Sequence, residues 1–231
     1  MAINDNSPKI KDIPMPQGTP AKQKELVQGM VRVNHLYSSA LKVAKTQLEI
    51  LDEEFASLYD HSPIHHIEYR IKTLESISQK LHKRGLEVTI DNIYTHINDV
   101  AGVRVICNYL DDIYYLRSLL AKNENFRLVR EVDYIKTPKE SGYRSLHLNV
   151  DVPIVISEGT IYLPVEIQLR TIAMDMWASL EHELRYKSSR NFSDADAYRL
   201  RLCSEAISEI DREMQNIYQG NDAEYEERVE K

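Results

Sequence analysis

Charged and amide side chains alternate with aliphatic ones along the segment PVEIQLRT, residues 164–171. Successive side chains on a strand point to opposite faces, so Glu166, Gln168 and Arg170 share one face and the aliphatic residues between them form the other. A carboxylate in such a row can bind a metal ion or accept a proton from a substrate hydroxyl. The alternative is an edge strand with one face in water, and the segment alone leaves both readings open.

Asp99 comes just before another apolar segment, VRVIC, residues 103–107. Gly102 lies between them, where the missing side chain lets neighbouring backbone approach closely. Mg²⁺ usually takes one or two carboxylates and fills its other positions with phosphate oxygens and water. We therefore predict that Asp99 and Glu166 bind Mg²⁺ together. The alternative is that Asp99 only caps a turn, while Arg104 extends its charged end to solvent.

Basic residues recur before this acid. Lys72, Ser76 and Lys80 are spaced four residues apart, and Arg70 lies beside an apolar stripe. Side chains at this spacing are neighbours on a helix. A row of ammonium groups beside a metal-binding acid matches the needs of a nucleoside triphosphate with its Mg²⁺. Taken alone, the row is also typical of a solvated helix face.

The segment KTPKESGYRSLHLNV, residues 136–150, combines a loop, a strand and an aromatic ring among cations. Tyr143 offers a flat face on which a nucleobase can stack, a contact worth roughly 1–3 kcal/mol. The surrounding cations are candidates for binding its phosphates: Lys136, Lys139, Arg144 and His147. The alternative is a tyrosine at an interface, surrounded by lysines that keep the surface soluble.

These side chains need a sheet and helices to position them. Apolar residues at three- and four-residue steps predict helices over about 22–59, 65–84, 89–96, 111–122, 171–187 and 194–218. Strands are predicted in VRVIC, FRLVREVDYI, SLHLNVDV and TIYLPVEIQLR. The sum is an α/β (α+β) fold with a central mixed sheet of about five strands, flanked by helices, with long N- and C-terminal helices.

The chain of 231 residues is long enough for one domain with extensions, predicted here over residues 22–219. Residues 1–21 are rich in proline and predict a mobile tail, and residues 220–231 predict a frayed acidic one. The net charge of −7 argues against broad coating of nucleic acid. Two distant cysteines and no long apolar run favour a reducing cytoplasm over secretion or a membrane.

Four blocks of sequence together resemble the synthetase domain of the RelA/SpoT family. They are HSPIHHIEYRIKTLESI, INDVAGVRVIC, DYIKTPKESGYRSLHL and VEIQLRTIAMDMWASLEHELRYK. The resemblance covers residues 58–218 and is greatest to the stand-alone small alarmone synthetases, in particular their RelP (YwaC-type) branch. It implies a nucleotidyltransferase-like synthetase fold, a cytoplasmic enzyme and a homotetramer assembled through the terminal helices.

The resemblance also implies a reaction and its residues. The family transfers the β,γ-pyrophosphate of ATP to the 3′-hydroxyl of GDP or GTP, giving ppGpp or pppGpp and AMP in the stringent response. By motif position, ATP would be bound by Arg70, Lys72, Ser76, Lys80 and Arg104. The guanine nucleotide would be bound by Lys139, Tyr143, His147 and Gln168. Catalysis would use Asp99, Arg104 and Glu166, with Mg²⁺ held by Asp99 and Glu166.

Three other functions remain as alternatives. Toxic relatives in the same fold pyrophosphorylate the 3′ end of tRNA, which an acidic chain does not favour. A polymerase-like nucleotidyltransferase would carry a Gly-Ser pair and a DxD strand, and this chain has no GS dipeptide. A non-enzymatic helical assembly protein would account for the apolar seams of the terminal helices. It would leave Asp99, Glu166 and the basic row unexplained.

Overall fold

The computed structural model describes residues 20–186 and 192–220. The helices are α1 (Pro20–Leu58), α2 (Leu74–His82), α3 (Ile90–His96), α4 (Leu110–Lys122), α5 (Ile172–Tyr186) and α6 (Asp194–Gln219). The strands are β1 (Ile64–Ile71), β2 (Ala101–Cys107), β3 (Arg127–Asp133), β4 (Leu146–Ile156) and β5 (Gly159–Thr171). The predicted tails, 1–21 and 220–231, lie outside the described residues except at positions 20, 21 and 220.

The strands form a sheet in the order β1-β2-β5-β4-β3. The predicted class, a mixed sheet of about five strands flanked by helices, is therefore confirmed. Strand β5 carries the segment PVEIQLRT and has a hydrogen-bonded neighbour on each side. The edge-strand reading of this segment is wrong. Its alternation is confirmed, since Val165, Ile167 and Leu169 are fully buried while Glu166 and Gln168 are partly exposed.

The helix predicted over residues 65–84 is wrong in its first half. Residues 64–71 form strand β1, and helix α2 begins only at Leu74. Ile67, Tyr69 and Ile71 recur at two-residue steps, and β-branched and aromatic residues favour strands. Thr73 marks the change because its side chain accepts a hydrogen bond from the Ser76 amide as an N-cap.

The chain divides into two compact units by its internal contacts. Of the described residues, the first unit comprises 20–46, 69–103 and 151–166, and the second comprises 47–68, 104–150, 167–186 and 192–220. The core of the first unit includes Tyr37 and Ala44 of α1, Leu81 of α2 and Ile93 of α3, all fully buried. The core of the second includes Ile106, Ile113, Leu116, Leu148 and Ile167.

Helix α6 packs within the second unit through polar side chains. Ser204, Asp211 and Gln215 are its buried residues. Asp211 accepts a hydrogen bond of 2.7 Å from the Thr171 hydroxyl, and Gln215 accepts one of 2.9 Å from the Asp111 amide. The apolar residues that recur at three- and four-residue steps along this helix include Ile210, Met214 and Ile217, and these are exposed by 56%, 52% and 62%.

None of the helices in the described part of the chain is long and apolar enough to cross a membrane.

Candidate active site

In the first unit, Asp99 lies between two lysines. The ammonium nitrogen of Lys72 is 2.9 Å from Oδ2 of Asp99, and that of Lys80 is 2.8 Å from Oδ1. Lys72 follows strand β1, where its amide donates a hydrogen bond of 2.8 Å to the Val100 carbonyl. Lys80 comes from helix α2, so two different elements bring their charges to one carboxylate. We call Lys72, Lys80 and Asp99 the Asp99 cluster.

The environment of Asp99 keeps its carboxyl group ionised. Burial by itself would raise the pKa of Asp99, but hydrogen bonds and charge attraction from Lys72 and Lys80 outweigh it and lower the pKa. An ionised carboxylate is a hard oxygen ligand of the type that Mg²⁺ prefers. The carboxylate chemistry of Asp99 fits Mg²⁺, while each of its oxygens already pairs with an ammonium group, so an ion bound there would share Asp99 with these two cations.

Arg70 and Glu166 both approach Gly102 on the neighbouring strand. A Cβ atom on Gly102 would lie 3.6 Å from Cγ and Nε of Arg70 and 3.9 Å from the carbonyl oxygen of Glu166. Gly102 is buried. These are ordinary van der Waals distances, so a Cβ atom would fit here and the predicted need for a glycine is not supported.

The metal-binding pair itself stays a prediction. Within the residues that the structure describes, no group of three or more His, Cys, Asp or Glu side chains is arranged to hold a metal ion. A site built from Asp99 and Glu166 would have only those carboxylates from the protein, with phosphate and water completing the coordination.

Ser76 lies in the first turn of α2, where its hydroxyl accepts a hydrogen bond of 2.9 Å from Thr73.

In the second unit, the loop of residues 134–145 is closed by its own backbone; we call it the Tyr143 loop. The Tyr134 amide donates to the Ser145 carbonyl at 3.0 Å, and the Lys139 amide donates to the Tyr143 carbonyl at 3.2 Å. Arg144, predicted among the phosphate-binding cations, donates to the Ile135 carbonyl at 3.0 Å and braces the loop. The loop thus holds Tyr143 in a defined position.

The Tyr143 side chain is half-buried and contacts three cationic or polar groups. Its hydroxyl lies 2.8 Å from Nε2 of His147 and receives a hydrogen bond of 2.5 Å from Nη2 of Arg170. The Lys139 ammonium lies 4.5 Å from the ring centroid, and the Arg170 guanidinium carbon lies 5.0 Å from it. Tyr134 meets the ring edge-on at 6.0 Å. The ring is therefore not turned into the apolar core.

Arg170 connects this ring to two further residues. Its Nη2 donates to Oε1 of Gln168 at 3.0 Å, and its Nη1 donates to Oδ1 of Asp175 at 3.0 Å. The same Asp175 oxygen lies 3.3 Å from Nη1 of Arg104, which also donates to Glu68 at 2.8 Å. The structure thus brings Tyr143, Gln168 and Arg104 into one chain of contacts.

The connecting residues Arg170 and Asp175 are not among the predicted site residues. The sequence does contain a signal for Arg170, because a cation two residues from Gln168 on the polar face of a strand points the same way as that amide. Asp175 lies in the first turn of α5, and no spacing rule relates that turn to Arg104.

Comparisons with known proteins agree with this architecture. Residues 69–191 match the family model described as the region found in RelA/SpoT proteins. The GTP pyrophosphokinase YwaC of Bacillus subtilis (strain 168) is 40% identical over 182 residues, which cover 79% of this chain and 87% of that protein.

Solved structures agree as well. Small alarmone synthetase 1 from Bacillus subtilis, bound to its product pppGpp, superposes with a TM-score of 0.74 at 38% identity. The match covers 80% of this chain and 93% of that one. The same enzyme bound to AMPCPP gives a TM-score of 0.71 at 34% identity, covering 85% and 99%.

The chain belongs to the RelA/SpoT family, with the nucleotidyltransferase-like fold of the small alarmone synthetases. Its similarity to YwaC confirms the resemblance that the four sequence blocks predicted.

Proposed function

We propose that this protein is a GTP pyrophosphokinase that transfers the β,γ-pyrophosphate of ATP to the 3′-hydroxyl of GDP or GTP. The products are AMP and either ppGpp or pppGpp. The last two are the alarmones of the stringent response. The name of the relative YwaC and the pppGpp bound to small alarmone synthetase 1 support this reaction. The observation in this structure that carries the proposal is the Asp99 cluster, where one ionised carboxylate and two ammonium groups lie together.

On the donor side, Lys72, Ser76 and Lys80 are proposed to bind the phosphates of ATP. The ammonium groups that now donate to Asp99 can also donate to phosphate oxygens, which are acceptors of the same kind. Arg70 and Arg104 are the proposed adenine contacts, since a planar guanidinium stacks on a flat base as well as pairing with acceptors.

Asp99 and Glu166 are proposed to hold Mg²⁺. Bound there, the ion would draw negative charge from the phosphate oxygens. Mg²⁺ prefers oxygen ligands such as carboxylates. The lowered pKa of Asp99 keeps its carboxylate unprotonated at neutral pH.

On the acceptor side, Tyr143 is proposed to stack on guanine, with Lys139, His147 and Gln168 contacting the same nucleotide. Glu166 is proposed to take the proton from the 3′-hydroxyl. The 3′-oxygen then forms a bond to the β-phosphorus, while the bond from that phosphorus to the oxygen of the α-phosphate breaks and AMP leaves. Cations around the transferred group stabilise its charge in the transition state.

The test is to incubate purified protein with Mg²⁺, ATP and GDP or GTP and to separate the nucleotides by ion exchange. We expect a new guanine nucleotide in equal amount with AMP. The Glu166→Gln variant should lose activity by about 10²–10⁴-fold, the usual contribution of a positioned general base. Glu158→Gln, in the exposed β4–β5 turn of the same unit, is the matched control and should keep its activity.

Other outcomes would contradict the proposal in distinct ways. Release of pyrophosphate with AMP added to the acceptor would indicate a nucleotidyltransferase. Transfer to tRNA without any to GDP or GTP would indicate the toxic relatives' reaction. Full activity in Glu166→Gln would remove this residue from the mechanism.

The proposal includes a homotetramer in the cytoplasm, assembled through the terminal helices. On α5, the helix before the C-terminal one, apolar side chains at four-residue steps are exposed: Ile172, Met176, Leu180 and Leu184. Ile210, Met214 and Ile217 of α6 are exposed as well. Runs of this kind on a helix support burial against another subunit.

A further inference from the structure

We propose that Arg170 is a positioning residue, which holds the Tyr143 ring and hydroxyl in the orientation that stacks on the acceptor base. The inference rests on the proposed function, because it assumes that Tyr143 binds guanine. It adds a residue to which neither the four sequence blocks nor the comparisons gave a role.

Burial of Arg170 indicates that its contacts are specific. Its side chain is only 5% exposed, and a buried guanidinium is costly unless its donors are paired. Nη1 donates to Asp175, and Nη2 donates to both Tyr143 and Gln168. Nε is buried and has no hydrogen-bond partner. The side chain therefore leaves one donor unpaired while its two Nη atoms bind these three acceptors.

The chemistry of arginine sets the direction of the hydrogen bonds. A guanidinium can only donate, so the Tyr143 oxygen must accept from Arg170. The tyrosine hydroxyl also lies 2.8 Å from Nε2 of His147, and the tautomer of His147 sets which of the two donates. Arg170 therefore fixes one acceptor direction of the Tyr143 oxygen.

Arg170 also limits where the ring can lie. Its guanidinium carbon is 5.0 Å from the ring centroid, within the range of a cation–π contact. The hydroxyl bond holds one end of the side chain while this contact holds its face. A base that stacks on Tyr143 thus meets a ring that is already ordered, which lowers the entropy cost of binding.

The experiment compares Arg170→Met, Arg170→Lys and Tyr143→Phe in the full-length chain. We measure KM for GDP and for ATP, together with GDP binding by calorimetry. Arg170→Met should raise the KM and the dissociation constant for GDP about tenfold or more, while the KM for ATP changes by less than about threefold. Arg170→Lys should recover only part of the loss, because an ammonium lacks the planar fork of donors.

A double-mutant cycle separates positioning from a general effect on folding. If Arg170 acts partly through the Tyr143 hydroxyl, Arg170→Met should reduce GDP affinity by a clearly smaller factor once Tyr143 is already Phe, the remainder coming from its contacts with the ring face and Gln168. Arg117→Met is the control, because Arg117 pairs with Glu131 in the same unit and lies outside the proposed site. It should leave both KM values unchanged.

The outcomes distinguish this inference from the proposed function. Additive losses in the cycle, or unchanged GDP affinity in Arg170→Lys and Tyr143→Phe, would overturn the positioning role, even if Arg170→Met fails to fold. Wild-type protein that forms no AMP would overturn the proposed function. In that event, a selective loss of GDP binding in the Arg170 variants would still support the positioning role.

Discussion

At the scale of single residues, the proposed nucleotide-binding groups are held by partners of their own unit. Asp99 is held by Lys72 and Lys80, and Tyr143 by Arg170. Tyr143 is thus ordered before a base stacks on it, whereas Lys72 and Lys80 would exchange Asp99 for phosphate oxygens when ATP binds. These contacts keep the proposed binding groups together within each unit.

Gly142 leads to a prediction about stability. Its φ of +93° lies in a region that other residues rarely adopt. A Cβ atom there would lie 2.8 Å from Cβ of Ser204 and 3.4 Å from the backbone of Arg201. We expect Gly142→Ala to lower the free energy of unfolding by about 3 kcal/mol, through strain and overpacking together. Urea denaturation followed by circular dichroism measures this loss.

Gly159→Ala is the matched control for that variant. Gly159 also has a positive φ, of +121°, but a Cβ atom there would meet no atom within 4 Å. We expect a loss of about 1–2 kcal/mol from backbone strain alone. Equal losses of unfolding free energy at the two glycines would show that the close contact of an added Cβ at position 142 with helix α6 is not destabilising.

Part of the site followed from the sequence at this scale, and part did not. Strand alternation placed Glu166 and Gln168 on the polar face of β5, because that pattern depends only on neighbours in the chain. The pairing of Lys72 with Asp99 depends on how β1 and α2 reach the start of β2, which no local pattern encodes. The bond between Arg170 and Tyr143 joins residues 27 positions apart for the same reason.

At the scale of elements, strands β2 to β5 and most helices were predictable, and strand β1 was not. Strands β2 to β5 and helices α3 to α6 agree with the predicted segments, since each has a clear period and turn residues at its ends. The segment of residues 64–82 has apolar residues that satisfy both a helical and an alternating pattern. The helix begins at its N-cap Thr73, a polar residue whose role cannot be read from the spacing of apolar residues.

Helix α6 leads to a prediction about pH. Burial raises the pKa of Asp211, and the Thr171 hydroxyl and Arg144 offset only part of that effect. A carboxyl group with a raised pKa stabilises the fold below its unfolded pKa and loses this contribution as pH rises through its folded pKa. We expect Asp211→Asn to raise the thermal midpoint at pH 7 by about 2–4 °C, as ~1 kcal/mol does in a domain of this size. The gain should disappear near pH 4.

Glu209→Gln is the control, because Glu209 is exposed on the same helix. Its substitution should shift the midpoint by less than about 1 °C at either pH. A lower midpoint for Asp211→Asn at pH 7 would mean that the charge of Asp211 stabilises the helix, contrary to the sign derived from its burial.

At the scale of the whole molecule, the exposed side of α6 leads to a prediction about assembly. Ile210 and Met214 are more than half exposed although both are strongly apolar. We expect the double variant Ile210→Lys and Met214→Lys to form smaller species than the wild type, because a charge in a buried interface is costly. Size-exclusion chromatography with light scattering measures the mass directly.

Val155→Lys provides the comparison for the assembly experiment. Val155 is 84% exposed and belongs to strand β4 rather than to a helix. Its substitution should leave the mass of the assembly unchanged. A wild-type protein that is monomeric at micromolar concentration, or a helix variant with wild-type mass, would contradict assembly through α6.

The Asp99 cluster has a further consequence in a chain whose net charge is −7. Two ammonium groups against one carboxylate leave a small positive spot on an acidic body. Beyond about 8 Å in physiological salt, surface charges are largely screened, so a short polyanion that reaches the spot responds mainly to these two ammonium groups. A long polyanion also meets the net negative charge of the rest of the chain. We therefore expect free nucleotides to bind here in preference to nucleic acid strands.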